Sequence, residues 1–317
     1  MLPVAHNKKL PHPWRGLHPM STQRTPRDWM LLLALVAMWG SSFMFNRVAV
    51  ASLPPWTVVA GRIGIAALVL TVLVYATGRR LPRLGRVWLP FVLVAAIGNA
   101  IPFYLITWGQ QVVESALAGI LMAVMPLATL VLAHFLIAGE RMTRPRVTGF
   151  LIGFGGIVLL MGPAALAGAG GDVALIYQLA VLGGALCYAL QSVLTRLIIK
   201  GDVMVAAAAT LIVASLMVVP VALWLDRPWT LSLHGTAAAA VVWLGVAPTA
   251  LATVLYFQLI RSAGPTFMSL VNYLSPSVAV LLGLLIMGEH PHTTAYFGLA
   301  LILAGIAVAQ RRPAAAT

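Results

Sequence analysis

Acidic side chains are almost missing from this chain: seven Asp and Glu stand among 317 residues, against twenty Lys and Arg. All seven (Asp28, Glu114, Glu140, Asp172, Asp202, Asp226 and Glu289) fall near the ends of apolar runs rather than inside them. A carboxylate in mid-membrane would announce a proton relay, so nothing in the sequence supports proton coupling. Charged residues make up only 9% of the chain, where soluble domains carry roughly a quarter, and this excludes an ordinary soluble globule. Cysteine is nearly absent too: Cys187 stands alone, so no intrachain disulfide can form. No Walker loop, strand-associated G-x-G-x-x-G, H-E-x-x-H or G-x-S-x-G is present, which argues against ATP hydrolysis and against the enzyme chemistries those motifs carry. The run EHPHT (289–293) holds two histidines and a carboxylate, but no third histidine lies nearby to complete a metal site. No metal and no cofactor is expected.

What is abundant is apolar sequence: 61% of residues are hydrophobic and the mean hydropathy is +0.97. A bilayer core of about 30 Å asks for roughly 20 mostly apolar residues per helix. The pattern predicts ten transmembrane spans, at 29–50, 55–77, 87–110, 114–138, 145–163, 173–199, 203–225, 236–260, 264–288 and 293–310. A closed β-barrel would need alternating segments of about 10 residues, and continuous runs such as FVLVAAIGNAIPFYLI exclude it. The expected fold is an all-α integral membrane protein.

The net charge of +13 would point to nucleic acid in a soluble protein, but its distribution says otherwise. Seventeen of the twenty basic residues sort to one side of the spans: Lys8, Lys9, Arg15, Arg24, Arg27, Arg79, Arg80, Arg83, Arg86, Arg141, Arg144, Arg146, Arg196, Lys200, Arg261, Arg311 and Arg312. Arg47 and Arg227 fall on the other, and Arg62 lies within span 2. Short cytoplasmic loops carry the excess of Lys and Arg, so both termini are expected in the cytoplasm. The basicity reads as topology and attraction to anionic lipid, with no nucleic-acid partner. Residues 1–28 are polar and rich in Pro and His, the composition of a disordered cytoplasmic tail and not of a cleavable signal peptide.

Displacing the sequence on itself superposes Gly139-Glu140 on Gly288-Glu289, Gly149 on Gly298 and Gly156 on Gly305, a shift of 149 positions. The same shift lays WGSSFMFNR (39–47) on YALQSVLTR (188–196). The chain therefore reads as two five-helix repeats, 29–163 and 173–311, joined by an external linker at 164–172 and followed by a cytoplasmic tail at 312–317. Five is odd, so the second repeat runs through the membrane in the opposite sense. Inverted repeats are the architecture of many secondary transporters, which bind substrate near the midplane between the halves.

The ordered set WGSSFMFNR, PPWTVVAGRIGIAAL (54–68), a proline followed by Gly-Glu in spans 4 and 9, and glycine-rich spans 5 and 10 resembles the drug/metabolite transporter superfamily, EamA type, over about residues 29–311. That resemblance implies an inner-membrane carrier with a central cavity, commonly an exporter of amino acids or other small metabolites.

Pro126 and Pro276 each lie about 12 residues into their spans. A proline removes a helical hydrogen bond and bends the helix, and the matched depth predicts a pair of hinges beside a cavity. Glu140 and Glu289 are expected first as helix-end markers, with pairing to a basic group as the alternative, Glu140 to Arg141, Arg144 or Arg146. The stripes GFLIGFGG (149–156) and GLALILAG (298–305) predict close helix packing, and leave open whether it forms within one chain or in a homodimer.

Polar and aromatic residues near mid-depth mark the expected substrate site: Trp39, Ser42, Asn99, Tyr104, Tyr188, Gln191, Asn272 and Tyr273. Buried amides cost free energy unless hydrogen-bonded, so their recurrence predicts a shared polar cavity or bonds between helices. Scarce charge disfavours phosphorylated substrates. The expected function is a secondary carrier exporting a small neutral or zwitterionic metabolite such as an amino acid, with an integral membrane enzyme or a channel as rivals. Arg62, about 7 residues into span 2, has no counterpart across the repeat; a substrate carboxylate, Glu114 and a helix C-terminus are all open as its partner.

Overall fold

The computed structural model describes residues 25–137, 140, 142–161, 173–199, 201–232 and 234–310. The 1–24 segment, the 164–171 loop, Gly139 and Arg141 lie outside them. Among the described residues the structure is helical, with no strand.

The first helix, α1 (Pro26–Val50), begins three residues earlier than hydropathy alone places it, because Thr25 and Asp28 form a capping box. The Asp28 carboxylate accepts from the Thr25 N–H while the Thr25 hydroxyl oxygen accepts from the Asp28 N–H, satisfying two groups that a helix start leaves without partners. There follow α2 (Pro55–Ala76), α3 (Leu89–Ala95), α4 (Ile101–Gly109), α5 (Ser115–Met122), α6 (Met125–Leu136), α7 (Arg144–Met161), α8 (Val173–Ile198), α9 (Val203–Leu225), α10 (Gly235–Leu244), α11 (Ala252–Met268), α12 (Val271–Leu285) and α13 (Thr293–Ala309). Two π-helical turns, at Ala96–Ala100 and Gly245–Leu251, join α3 to α4 and α10 to α11.

Each of the ten expected spans contains helix. Seven helical stretches are long and apolar enough to cross a membrane by length and composition. Two more, α12 and α13, are apolar but shorter. The span expected over 264–288 differs most from its sequence reading. Gly264 (φ 83, ψ 166) kinks α11, and the chain turns again at Ser269 and Leu270 before α12 begins.

Span 4 is likewise split, between α5 and α6, at Ala123 and Val124. Pro126 has no N–H to offer Met122 O, and its ring crowds that carbonyl, so α5 ends at Met122. The break precedes Pro126 by two residues and Pro276 by six. The two spans are thus interrupted at nearby, unequal positions.

The helices pair across the two halves of the chain. The most extensive contacts join α7 to α13, α2 to α9, α4 to α8, α1 to α12 and α5 to α12. Exchanging the halves maps α7–α13 and α2–α9 onto themselves, α4–α8 onto a contact of α1 with α11, and α1–α12 onto a contact of α6 with α8. In the α7–α13 pair Gly149 abuts the Gly305 carbonyl and Gly156 the Gly298 carbonyl, so closely that a Cβ at any of the four would strike backbone. The glycine stripes therefore pack against each other within one chain. Five apolar clusters fill the spaces between helices; the largest surrounds Ile63, Leu70, Phe103, Leu211 and Val218, where α2 and α9 meet.

Candidate functional site

The two π turns stand at equivalent positions, 96 and 245, under the same displacement that superposes the glutamates. Each comes with a proline: Pro102 one residue into α4 and Pro248 within the second turn. Pro248 has no N–H for Leu244 O, and the Thr249 hydroxyl takes its place, donating to that carbonyl at 2.7 Å. Irregular backbone of this kind is tolerated at membrane depth only where protein or a cavity satisfies it.

Aromatic groups from the opposite half close on both turns. Trp39 Nε1–H donates to Pro248 O at 3.1 Å, with the Tyr256 ring 5.9 Å away. Tyr188, which occupies Trp39's place in the second repeat, meets Phe103 edge to face at 6.0 Å, just beyond the first turn. Gln191 lies one helical turn from Tyr188 and packs directly onto Gly98, where a Cβ would overlap its side chain. Asn99 belongs to the same π turn.

Arg62 sits in the middle of this group and is buried, with 8% of its surface exposed. Its Nε–H donates to Thr249 Oγ1 at 2.9 Å, and its guanidinium carbon lies 4.0 Å from the centre of the Phe103 ring. It pairs with neither of the protein groups expected for it. Glu114 stands just ahead of α5 without reaching it, and the contact at the second π turn goes through a threonine hydroxyl instead of a helix C-terminus.

The other expected residues separate into two places. Ser42 is buried on α1, while Asn272 and Tyr273 open α12, the helix against which α1 packs. Tyr273 rests on the apolar cluster of Ile120, Leu127 and Ile302. Tyr104 stacks on Trp56 at 4.0 Å with the rings 17° apart, at the first turn of α2. Tyr188, Gln191, Asn99 and Trp39 thus surround the π turns, with Ser42, Asn272 and Tyr273 along α1 and α12 and Tyr104 set towards the bundle end.

The two conserved-by-repeat glutamates take different partners. Glu140 pairs with Arg146 at 3.1 Å and, across the halves, with Arg196 at 3.2 Å. Hydrogen bonds from Arg146 and then Arg196 hold its carboxyl below the usual carboxylate range. Glu289 is buried and, among the described residues, meets no basic group. Its Oε1 accepts from the Ser115 N–H and hydroxyl, both at 2.8 Å, and its Oε2 accepts from the Ala116 N–H at 2.8 Å. It caps α5 of the other half, where a carboxylate answers both the unsatisfied N–H groups and the helix dipole.

Sequence reasoning missed three features. The first is the pair of π turns, whose signal was available in the prolines of GNAIP and GVAP. The second is a buried amide network in which Asn46 Nδ2 donates to Gln110 Oε1 at 2.8 Å, Gln110 Nε2 to Phe43 O at 2.9 Å and Thr107 to Asn46 Oδ1 at 3.1 Å. The third is Asp226, which accepts from the Thr57 N–H at 2.7 Å and so caps α2 from the opposite half. His290 and His292 line a cleft of about 280 Å³ with Glu114 and Gln178, and no group of three metal-ligating side chains occurs among the described residues.

Comparison with known proteins bears on this arrangement. The EamA-like transporter family matches residues 28–162 and, a second time, 175–310. The uncharacterized inner membrane transporter YedA of Escherichia coli (strain K12) is 28% identical over 262 residues, covering 81% of this chain and 82% of its own. A probable terminal-alkyne amino-acid exporter of Streptantibioticus cattleyicolor is 28% identical over 302 residues, 90% of this chain and 93% of its own. A protein solved by crystallography shares the fold, with a TM-score of 0.65 at 20% identity over 90% of this chain and 97% of that one.

Proposed function

We propose that this chain, which belongs to the EamA-like transporter family and is a transporter rather than an enzyme, is a secondary carrier that exports a small neutral or zwitterionic metabolite such as an amino acid. In this reading ten helices cross the inner membrane as two inverted five-helix repeats, and both termini face the cytoplasm. The observation that carries it is the pair of π turns at matched positions, each pressed by a side chain of the other half, Gln191 on the first and Trp39 on the second. A site built equally from both halves can be exposed to either side when the halves move relative to one another.

The substrate chamber is formed by Trp39, Asn99, Tyr188 and Gln191, with Ser42, Asn272, Tyr104 and Tyr273 along its walls. Aromatic faces take the apolar part of the metabolite, and amides and freed carbonyls take its polar groups. Pro126 and Pro276 serve as hinges, since each accompanies a break in a span that packs against the other half. The amino-acid assignment draws support from the exporter of Streptantibioticus cattleyicolor, whose printed name includes that substrate class.

Counterflow of radiolabelled L-amino acids in proteoliposomes tests the function. Saturable exchange that weakens in Trp39→Ala and Gln191→Ala is expected, and flux that grows linearly with concentration would instead describe a channel. Pro126→Ala and Pro276→Ala should slow exchange more than they lower thermal stability. For the topology, a cysteine placed in the 164–171 loop of a Cys187→Ser background should react with an impermeant thiol reagent in intact cells, and one at Arg83 should not. The opposite labelling pattern would reverse the assigned faces.

A further inference from the structure

The fold gives Arg62 no counter-charge. The other arginines in ion pairs, Arg79, Arg146 and Arg196, lie at the bundle end and meet carboxylates. Arg62 stands about 10 Å inside, counted along the helix from Pro55, and meets only a neutral hydroxyl and a ring face. No carboxylate among the described residues lies within ion-pair distance of it. Removing an unpaired cation from water is among the costliest things a fold can do, and here the chain supplies only partial compensation.

The two contacts it does make determine how the guanidinium is presented. The Thr249 hydroxyl is committed as a donor to Leu244 O, so the oxygen offers a lone pair to Arg62 Nε–H. The Phe103 face fixes the plane of the group from one side. Of the five N–H donors of a guanidinium, one is engaged with Thr249, and among the described residues the planar pair of terminal nitrogens meets no acceptor. That pair matches the two oxygens of a carboxylate. A phosphate dianion would fit the same fork but would set two negative charges against this single cation.

We infer that Arg62 is the anchor for a substrate carboxylate, so that what the protein transports must carry one. This rests on the carrier reading above and narrows it. The carboxylate completes the charge balance in the buried site, while Phe103 and Tyr188 flank the adjoining carbon skeleton and Asn99 and Gln191, one turn away on their helices, face its remaining polar groups. The neutral-metabolite half of the functional proposal is thereby set aside in favour of the zwitterionic or anionic one.

The test uses the purified full chain in proteoliposomes with a panel of L-amino acids, each matched by its carboxamide and its decarboxylated amine, and sodium chloride as the simple-anion control. The acids should exchange, with the amides and amines weaker by about 10- to 100-fold, the range set by a hydrogen bond to a charged group. Arg62→Gln should lose that preference and Arg62→Lys should keep part of it. Without ligand, Arg62→Met should melt at or above the wild-type temperature, because it removes an uncompensated buried charge. Amides exchanging as well as acids, chloride stabilising as well as the acids, unchanged acid affinity in Arg62→Gln, or a marked fall in the ligand-free melting temperature of Arg62→Met would each overturn the inference and leave the carrier reading standing. If no compound of the panel exchanges, the amino-acid carrier reading fails and this inference fails with it.

Discussion

The two ends of the helical bundle hold the halves together by different chemistry. At the end carrying Val50, Gln110 and Ser115, the contacts are buried and specific. Glu289 caps α5 and Asp226 caps α2 across the halves, while within the first half Asn46, Thr107 and Gln110 share a network in which Gln110 is fully buried. Arg47 adds hydrogen bonds to the backbone carbonyls of Gln110 and Gln111. At the other end the halves meet through ion pairs open to solvent, Arg79 with Asp202 at 2.9 Å and Glu140 with Arg146 and Arg196. The equivalent glutamates show the contrast most directly: one is locked onto another helix's N-terminus, and its repeat counterpart lies among exposed arginines. An inverted repeat permits the same contacts at both ends, and this structure makes the buried caps between its halves at only one of them.

This contrast can be broken residue by residue, in detergent, by unfolding. Glu289→Ala should have the largest effect, about 3 kcal/mol, because it strips a buried helix start of charge-assisted acceptors. Gln110→Ala comes next at about 2 kcal/mol, leaving the Asn46 amide buried without its acceptor. Asp226→Ala should cost about 1 kcal/mol, the loss of a helix cap. Glu140→Ala should change stability by less than about 1 kcal/mol, and less again at high salt, as for other exposed pairs. A Glu140→Ala variant as unstable as Glu289→Ala would show that the two ends are held equally.

A pH titration sharpens the same point. Glu140 has a lowered carboxyl pKa in the folded protein, so its contribution is present above the ordinary value of 4.5 and is lost as pH falls through the lowered folded value. The acid-induced loss attributable to Glu140, read as the difference between wild type and Glu140→Ala, should therefore be confined below about pH 4.5 and should be small because the pair is exposed.

Element positions were readable in the sequence because hydropathy and bilayer thickness leave few choices of where helices begin and end. The repeat was readable because Gly139-Glu140 and Gly288-Glu289 survive in both copies, and the family match falls on the same two halves. Close packing at α7 and α13 followed from their spaced glycines, but that the two stripes meet each other within one chain became visible only in the structure. What stayed hidden depends on rotation about helix axes. Depth places Tyr104 and Tyr188 alike, yet only one of them faces Arg62; the other stacks on Trp56. Glu289 was expected first as a helix-end marker and only otherwise to meet a cation, because sequence lists charged partners and cannot display the N–H groups at the start of α5. Arg196 as a partner of Glu140 was out of reach for the same reason, being 56 positions away along the chain and adjacent only in space.

A π turn also answers the scarcity with which the sequence begins. A protein that keeps acids out of the bilayer must find other acceptors for a polar passenger, and side-chain amides are few. By widening a helix for one turn, the chain loosens its own ladder and releases main-chain oxygens sideways, as Pro248 O already shows by accepting from Trp39. The peptide group thereby becomes a reagent available at any depth, independent of pH and unable to lose its polarity by titration. Two such turns, one in each half, supply main-chain acceptors that need no carboxylate.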